Sequence, residues 1–171
     1  MGRRKAADAA HGAATPAIRA LVDAGVPHRV LSFDVHLDAA GERFGVQAAK
    51  ALGVPPERTF KTLMVALPDG SLAACCVPVS GQLDLRAAAT ALGVKKVAMA
   101  DLAVAERRTG YVRGGISPLG QRQRHPVVVD SSALDGDVLY VSAGQRGRDL
   151  ELAPADLVAV TDAVVAPIAA R

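Results

Sequence analysis

The sequence predicts a single α/β domain with a central mixed, barrel-like β-sheet flanked by short helices. Short apolar runs bounded by turn residues alternate along the chain with short helical patterns. No internal repeat of roughly 20 to 50 residues is visible. The 171 residues suffice for one sizeable core, and no interdomain linker divides them. We expect residues 1–14, basic and rich in alanine, to form a flexible tail, and residues 15–171 to form the domain.

Capping and turn residues define the elements of the first half. Thr15 before a proline predicts the start of a helix, and Gly25 predicts its end. Residues 28–34 form an apolar run typical of a strand, and a second helix is expected over residues 46–52. The clearest element is a hairpin over residues 58–79, in which two apolar runs flank the turn sequence PDG.

Aspartates and glycines mark the elements of the second half. Asp84 and Asp101 are placed to cap two short helices, which Gly93 and Gly110 end. The runs PVVVD and VLYVS predict a second strand pair, joined around the Asp-Gly turn at residues 135–136. The segment ELAPADLVAVT predicts a last short helix that begins at its proline.

Composition and charge exclude some classes of protein. No apolar run approaches the roughly 20 residues of a membrane span. The start of the sequence lacks the apolar segment of a signal peptide, so we expect a cytosolic protein. The formal net charge is only +3, but the positive residues are clustered. Such clusters suit a polyanion such as RNA, and they also suit an ordinary solvated surface.

Neither the cysteines nor the histidines predict a metal site. Cys75 and Cys76 are adjacent within an apolar run, where we interpret them as small buried hydrophobes. The four histidines are scattered and lack ligand spacing. We therefore expect no metal and no cofactor.

Lys61 is the first candidate for chemistry. On a strand its side chain shares a face with Leu63 and Val65, because side chains alternate with period two. A lysine beside apolar residues is partly desolvated, which lowers its pKa and strengthens its field. The alternative is a lysine at the end of a strand whose head reaches water.

Two glycine-bearing segments are the other candidates. Gly114 and Gly115, in GYVRGGISPLG, would let backbone N–H groups approach a substrate oxygen. A tight turn explains the same glycines equally well. The segment VSAGQRGRDLEL places Ser142 and Asp149 close together after a strand. The serine could position a substrate hydroxyl or amine, and the aspartate could bind an amino group.

Five stretches follow one another along the chain: FKTLMVAL, PVSGQLDL, KKVAMAD, TGYVRGGISPLGQ and YVSAGQRGRDLEL. Together, and in this order, they closely resemble the YbaK family of Cys-tRNA(Pro) deacylases. These enzymes are relatives of the insertion editing domain of prolyl-tRNA synthetase. The resemblance covers roughly 150 residues, from residue 15 to the C-terminus. It implies a free-standing enzyme that removes cysteine wrongly attached to proline tRNA, or also from other Cys-tRNAs. An α/β domain around a barrel-like mixed sheet is the fold that it implies.

The resemblance also assigns roles to individual residues. Lys61 matches the essential lysine of the family. The substrate-binding positions that we expect from it are Phe33, His36, Thr62, Gly114, Gly115, Ile116, Ser142 and Asp149. The acceptor end of tRNA(Pro) is the expected partner, with or without prolyl-tRNA synthetase. The clustered arginines expected to contact that tRNA are Arg113, Arg122, Arg124 and Arg146.

One corner of the implied pocket departs from the family. Relatives often have a Tyr-x-His-Asp stretch where this chain has Phe33 and His36, with a short insertion before Phe44. If the tyrosine hydroxyl matters in relatives, Phe33 cannot supply it. This departure keeps open a protein that binds tRNA or the synthetase without catalysis.

The chain offers no serine–histidine or cysteine–histidine pair in sequence that would indicate a protein nucleophile. The resemblance implies instead that the thiol of the substrate attacks its own ester carbonyl and releases a cyclic thiolactone. An editing hydrolase for another amino acid, such as alanine, with water as nucleophile, is the alternative enzyme.

Overall fold

The computed structural model describes residues 13–34 and 44–170, which form an α/β domain with a mixed sheet. The helices are α1 Pro16–Asp23, α2 Phe44–Leu52, α3 Leu85–Leu92, α4 Leu102–Thr109 and α5 Pro154–Thr161. The strands are β1 Arg29–Ser32, β2 Phe60–Ala66, β3 Leu72–Pro78, β4 Gln82–Leu83, β5 Ala98–Met99, β6 Val127–Asp130, β7 Leu139–Gln145, β8 Arg148–Leu152, β9 Val164–Ala166 and β10 Ala169–Ala170.

The largest sheet has five strands in the order β5-β2-β3-β6-β9. Strand β2 runs antiparallel to β3 and β5, whereas β6 runs parallel to β3 and β9. The sheet is therefore mixed, as the sequence predicts. Short helices cover its faces, which agrees with the predicted fold class.

The predicted β2–β3 hairpin is confirmed, with strand pairing from Phe60 opposite Pro78 to Ala66 opposite Leu72. Asp69 in the turn accepts hydrogen bonds from both the N–H and the hydroxyl of Ser71, at 2.9 and 2.6 Å. Gly70 follows with a φ of +86°, a conformation that glycine adopts without strain. The resulting register places Lys61 opposite Val77.

All seven residues of β3 are buried, because the strand separates two apolar cores. Side chains on one face pack with α1, α5 and β7, and those on the other face pack with α3 and Ile168. Cys76 belongs to the first core and Cys75 to the second, each fully buried. Between its end residues Leu72 and Pro78, the strand carries only alanine, cysteine and valine, which suits a strand covered on both faces.

The predicted helix caps are confirmed. Thr15 caps α1, with its hydroxyl oxygen accepting a hydrogen bond from the N–H of Ile18 at 3.1 Å. Asp84 and Asp101 cap α3 and α4 in the same manner. Helix α2 begins two residues earlier than the sequence indicates, at Phe44.

The predicted pairing of the PVVVD and VLYVS strands is wrong. Both strands form, as β6 and β7, but β6 lies between β3 and β9, and β7 pairs with β8. A 3-10 turn over Ser131–Asp135 replaces the hairpin turn, and Gly136 is extended. One carboxylate oxygen of Asp130 accepts a hydrogen bond from the hydroxyl of Ser132. The other oxygen accepts hydrogen bonds from the N–H groups of Ile168 and Ala169. These bonds tie the end of β6 to the C-terminal segment.

A second, antiparallel sheet has the order β1-β8-β7. It meets the five-stranded sheet where Thr59 and Tyr140 form a parallel bridge. Strands β4 and β10 form a third, two-stranded sheet. Among the described residues these sheets do not close on one another, so "barrel-like" applies only loosely.

The predicted N-terminal tail lies mostly outside the described residues. Within them, the carbonyl of Ala13 accepts a hydrogen bond from Nη1 of Arg148, at 2.8 Å. No helix in the described ranges is long and apolar enough to cross a membrane.

We predict that both thiols resist alkylation in the native protein. Burial raises the pKa of Cys75 and of Cys76 to about 12, so that very little reactive thiolate exists near pH 8. The measurement is iodoacetamide labelling followed by mass spectrometry, with and without denaturant. We expect two labels only after unfolding, and stoichiometric labelling of the folded chain would contradict this account.

Candidate active site

One cavity of about 490 Å³ lies between the edge of β2, the start of α2, the glycine-rich segment and the β7–β8 hairpin. Seven of the nine predicted substrate-side residues line it; Gly115 does not, and His36 lies outside the described residues. Its lining includes Phe33, Phe44, Lys61, Thr62, Met64, Met99, Leu102, Arg113, Gly114, Ile116, Ser142, Arg146 and Asp149. A concave apolar site with a few convergent polar groups is the usual form of a small-molecule site.

The cavity exposes a stretch of the β2 backbone that has no neighbouring strand. The N–H of Leu67 bonds to the carbonyl of Ser71 at 2.8 Å, so odd-numbered residues of β2 bond to β3. Even-numbered residues direct their peptide groups to the other edge, where the carbonyl of Met64 accepts the N–H of Ala100 at 3.0 Å. Thr62 is the next even-numbered residue, and it lines the cavity.

Lys61 brings an amine to this cavity from β2. Its side chain is half-buried, and burial lowers the pKa of its ammonium group below the ordinary value. Partial desolvation also strengthens the field that the charged form exerts on a bound group. The structure therefore favours a lysine in a cavity wall over one that reaches freely into water.

Ser142 and Asp149 lie directly opposite each other on β7 and β8. Directly opposed residues on an antiparallel pair share a face, so both side chains line the cavity. The sequence predicts this proximity but places both residues in a loop. The hairpin between them is irregular from Ser142 to Gln145, and the Ser142 hydroxyl oxygen accepts the N–H of Gly144 at 3.1 Å.

The carboxyl group of Asp149 is only 6% exposed. Burial raises its pKa to about 7, because desolvation disfavours the charged form. Asp149 is therefore poised to ionise near neutral pH. A buried carboxylate of this kind favours a cationic ligand that restores the lost solvation.

The glycine-rich segment is a compact loop built around Tyr111. The Tyr111 hydroxyl donates to the carbonyl of Leu119 at 2.7 Å, and its ring packs against Gly144. At the end of the loop, Gly120 has a φ of +65°, and a Cβ there would lie 2.4 Å from the backbone of Pro16. Much of the bare backbone therefore serves close packing within the protein.

The two adjacent glycines differ in their relation to the cavity. Gly114 lines it and lies against the ring of Phe44, where a Cβ would come within 2.8 Å of a ring carbon. Gly115 is buried behind it, and its N–H already bonds to the carbonyl of Val112 at 2.9 Å. Only Gly114 is thus placed to present backbone to a ligand, and the role of the loop in binding stays a prediction.

The four arginines expected to contact tRNA separate into two groups. Arg113 and Arg146 line the cavity. Arg122 lies at the C-terminal turn of α4, where its N–H bonds to the carbonyl of Thr109 at 2.8 Å. Arg124 lines a second, smaller cavity of about 190 Å³.

A profile of the aminoacyl-tRNA editing domain matches residues 44–160 of the chain. The match contains β2, the glycine-rich loop and the β7–β8 hairpin, and it spans more than half of the sequence.

The chain belongs to the aminoacyl-tRNA editing domain family.

Relatives of this editing domain agree with the assignment. A protein of Enterococcus faecalis, provisionally named Cys-tRNA(Pro)/Cys-tRNA(Cys) deacylase EbsC, is 34% identical over 160 residues, covering 92% of this chain and 94% of the relative.

Solved structures share the fold. The hypothetical protein APE2540 has 28% identity and a TM-score of 0.80, covering 91% of this chain and all of that one. A protein provisionally described as a trans-editing enzyme for prolyl-tRNA synthetase has 24% identity and a TM-score of 0.79, covering 94% and 100%.

The editing-domain cavity includes residues that sequence reasoning did not select. Phe44 and Gln47 come from α2, and Met99 and Leu102 come from the segment around β5. No local motif distinguishes them, because they meet only through tertiary packing. Phe33 lines the cavity as predicted, whereas the predicted residue His36 lies outside the described residues.

Asp149→Asn should stabilise the editing domain increasingly as the pH rises. The folded-state pKa of about 7 lies above the unfolded value of about 4. The stabilisation associated with its protonated form is therefore complete below about pH 4 and is lost as the pH rises through 7. Relative to wild type, we expect the unfolding free energy of the variant to gain about 3 kcal/mol between about pH 5 and pH 8.

Urea unfolding at both pH values measures this difference. Ser142→Ala is the matched control, because it changes the opposing residue without changing a titratable group. A difference between Asp149→Asn and wild type that stays constant with pH would contradict the assigned shift.

Proposed function

We propose that this protein removes cysteine from mischarged Cys-tRNA(Pro), with Cys-tRNA(Cys) as a second substrate. The protein is an aminoacyl-tRNA deacylase, because it belongs to the editing domain family and its 34% identical relative is named a deacylase. The choice of cysteine follows the name of that relative, which is similar over nearly the whole length of both chains.

The observation that carries this proposal is the composition of the cavity. It brings together the amine of Lys61, the buried carboxyl group of Asp149 and the hydroxyl of Ser142 in a largely apolar cavity. Its described lining contains neither histidine nor cysteine, so no serine–histidine or cysteine–histidine pair stands within it. Both buried cysteines of β3 lie outside the lining.

A cysteinyl ester carries the missing nucleophile itself. In the proposed step, the substrate sulfur forms a bond to the ester carbonyl carbon, and the bond from that carbon to the ribose oxygen breaks. The thiol proton ends on the ribose hydroxyl, and a four-membered cyclic thiolactone leaves. Intramolecular attack profits from the high effective concentration of a well-oriented group.

The cavity residues then bind and orient the substrate. Asp149 would pair with the α-amino group of the cysteinyl moiety, and the ionised carboxylate would regain the favourable interactions that burial removed. Lys61 would stabilise the negative charge that develops on the carbonyl oxygen. Ser142 would position the ester by a hydrogen bond.

The physical need for such an enzyme is clear. A synthetase pocket of the size of proline cannot strongly exclude cysteine, because the two side chains have similar volumes. A second site whose reaction requires a thiol distinguishes cysteine from proline by chemistry rather than by size.

The partner in this proposal is the acceptor end of tRNA(Pro), with prolyl-tRNA synthetase as a candidate companion. The editing domain would extend over residues 15–171, beyond the matched range. An enzyme that corrects charged tRNA acts where tRNA is charged, so we place it in the cytoplasm.

Lys61→Ala should lower the rate of cysteine release from Cys-tRNA(Pro) by roughly 100-fold or more. This is the scale of a lost contact to a developing oxyanion. The measurement is single-turnover deacylation, with folding checked by circular dichroism. Lys95→Ala is the control, because Lys95 is an exposed lysine outside the cavity. A folded Lys61→Ala variant with normal turnover would remove the lysine from the mechanism.

Release of cysteine should be much faster than release of serine from the same tRNA(Pro). Serine has nearly the same volume, but a thiolate is accessible near neutral pH and an alkoxide is not. Alkylation of the substrate thiol should abolish release. The measurement compares Cys-, Ser- and Ala-tRNA(Pro) at equal concentrations of enzyme and tRNA.

Two other outcomes have distinct meanings. Comparable rates for cysteine and serine would indicate water as the nucleophile and would leave an editing hydrolase. Preferential release of alanine would identify an editing enzyme for that amino acid, while stoichiometric binding of tRNA without release would contradict catalysis.

A further inference from the structure

We propose that the guanidinium plane of Arg146, held on the ring of Phe44, is the stacking surface for the terminal base of the tRNA acceptor strand. This inference rests on the proposed function and adds a nucleobase subsite at the rim of the same cavity. It separates the recognition of the base from the recognition of the cysteinyl group.

Two contacts fix the position of the Arg146 head group. Its Cζ lies over the Phe44 ring, 5.0 Å from the ring centroid. Its Nε donates a hydrogen bond to the carbonyl of Arg113 at 2.6 Å. An exposed arginine usually samples many rotamers, so a head group held at two points is unusually well prepared to bind.

The glycine pair explains how this arrangement is built. A Cβ on Gly114 would lie within 2.8 Å of the Phe44 ring, and a Cβ on Gly115 would lie 3.0 Å from the backbone nitrogen of Arg146. The absence of both Cβ atoms thus lets ring and hairpin approach the loop. Gly114 and Gly115 thus position the platform.

The chemistry of the surface points to a base. Guanidinium planes stack on the unpaired bases of single-stranded RNA, as aromatic rings do. The chain has only five aromatic residues and no tryptophan. Three of these, Phe60, Tyr111 and Tyr140, are buried in the protein. Of the other two, Phe33 also lines the cavity, and Phe44 lies beneath Arg146, so the guanidinium offers the exposed planar surface of the Arg146–Phe44 pair.

The location suits the end of an acceptor strand. Arg146 is exposed, whereas Asp149, three residues later on the same hairpin, is buried, and both line the cavity. When the cysteinyl group of the substrate lies at Asp149, the ribose and base to which it is attached would lie nearer the rim of the cavity. The competing role for Arg146 is a charge contact with a phosphate, which would act equally with and without the base.

The test uses two minimal esters, cysteinyl-adenosine and the same cysteinyl ribose without its base, alongside Cys-tRNA(Pro). We expect wild type to cleave the adenosine ester with a kcat/KM about 10-fold or more above that of the abasic ester. Arg146→Lys keeps the charge and removes the plane, and it should erase this preference. The loss should lie in KM, with kcat nearly unchanged.

Phe44→Leu removes the supporting ring and should reduce the preference in the same direction. Arg86→Lys, an exposed arginine on α3, should leave the preference at its wild-type value.

Three results would overturn the subsite: equal cleavage of both esters by wild type, a preference retained in Arg146→Lys, or an equal loss on both esters in that variant. The last result would assign Arg146 to the structure of the hairpin. A wild-type protein that cleaves none of these esters and no Cys-tRNA(Pro) would instead reject the proposed function.

Discussion

The register of the β2–β3 hairpin is the constraint on which the rest of the molecule depends. It places Lys61 opposite Val77 and assigns each side chain of β3 to one of two cores. A slip of one residue would exchange the two faces of β2 and carry Lys61 to the opposite one. The turn at Asp69 supports this register with two hydrogen bonds from Ser71, at 2.9 and 2.6 Å.

The site itself arises where this sheet meets the β7–β8 hairpin. The sheets meet at Thr59 and Tyr140 and then diverge, which leaves the cavity between them. Burial stabilises the cores on either side, yet it makes ionisation of Asp149 unfavourable. Asp149 is therefore held in an environment that lacks the solvation its charged form needs.

Local signals were sufficient for the parts of the fold that local physics decides. The PDG turn, the aspartate caps and the strand position of Lys61 could all be predicted, because each rests on neighbouring residues. The pairing of β6 with β3 and β9 could not, since it depends on bonds from Asp130 to residues almost forty positions away. The separation of Arg122 from Arg146 is likewise a tertiary result.

The uncovered backbone at Thr62 has a consequence for association between chains. A strand edge with unpaired peptide groups is a template for another strand, and proteins protect such edges. Here the open stretch is recessed in a cavity and bounded by the pairing of Val65 with Met99. Segment β5 is only two residues long, but it caps the exposed part of the edge. Removing that segment would lengthen the free edge of β2 beside the cavity, and long free edges favour pairing with other chains.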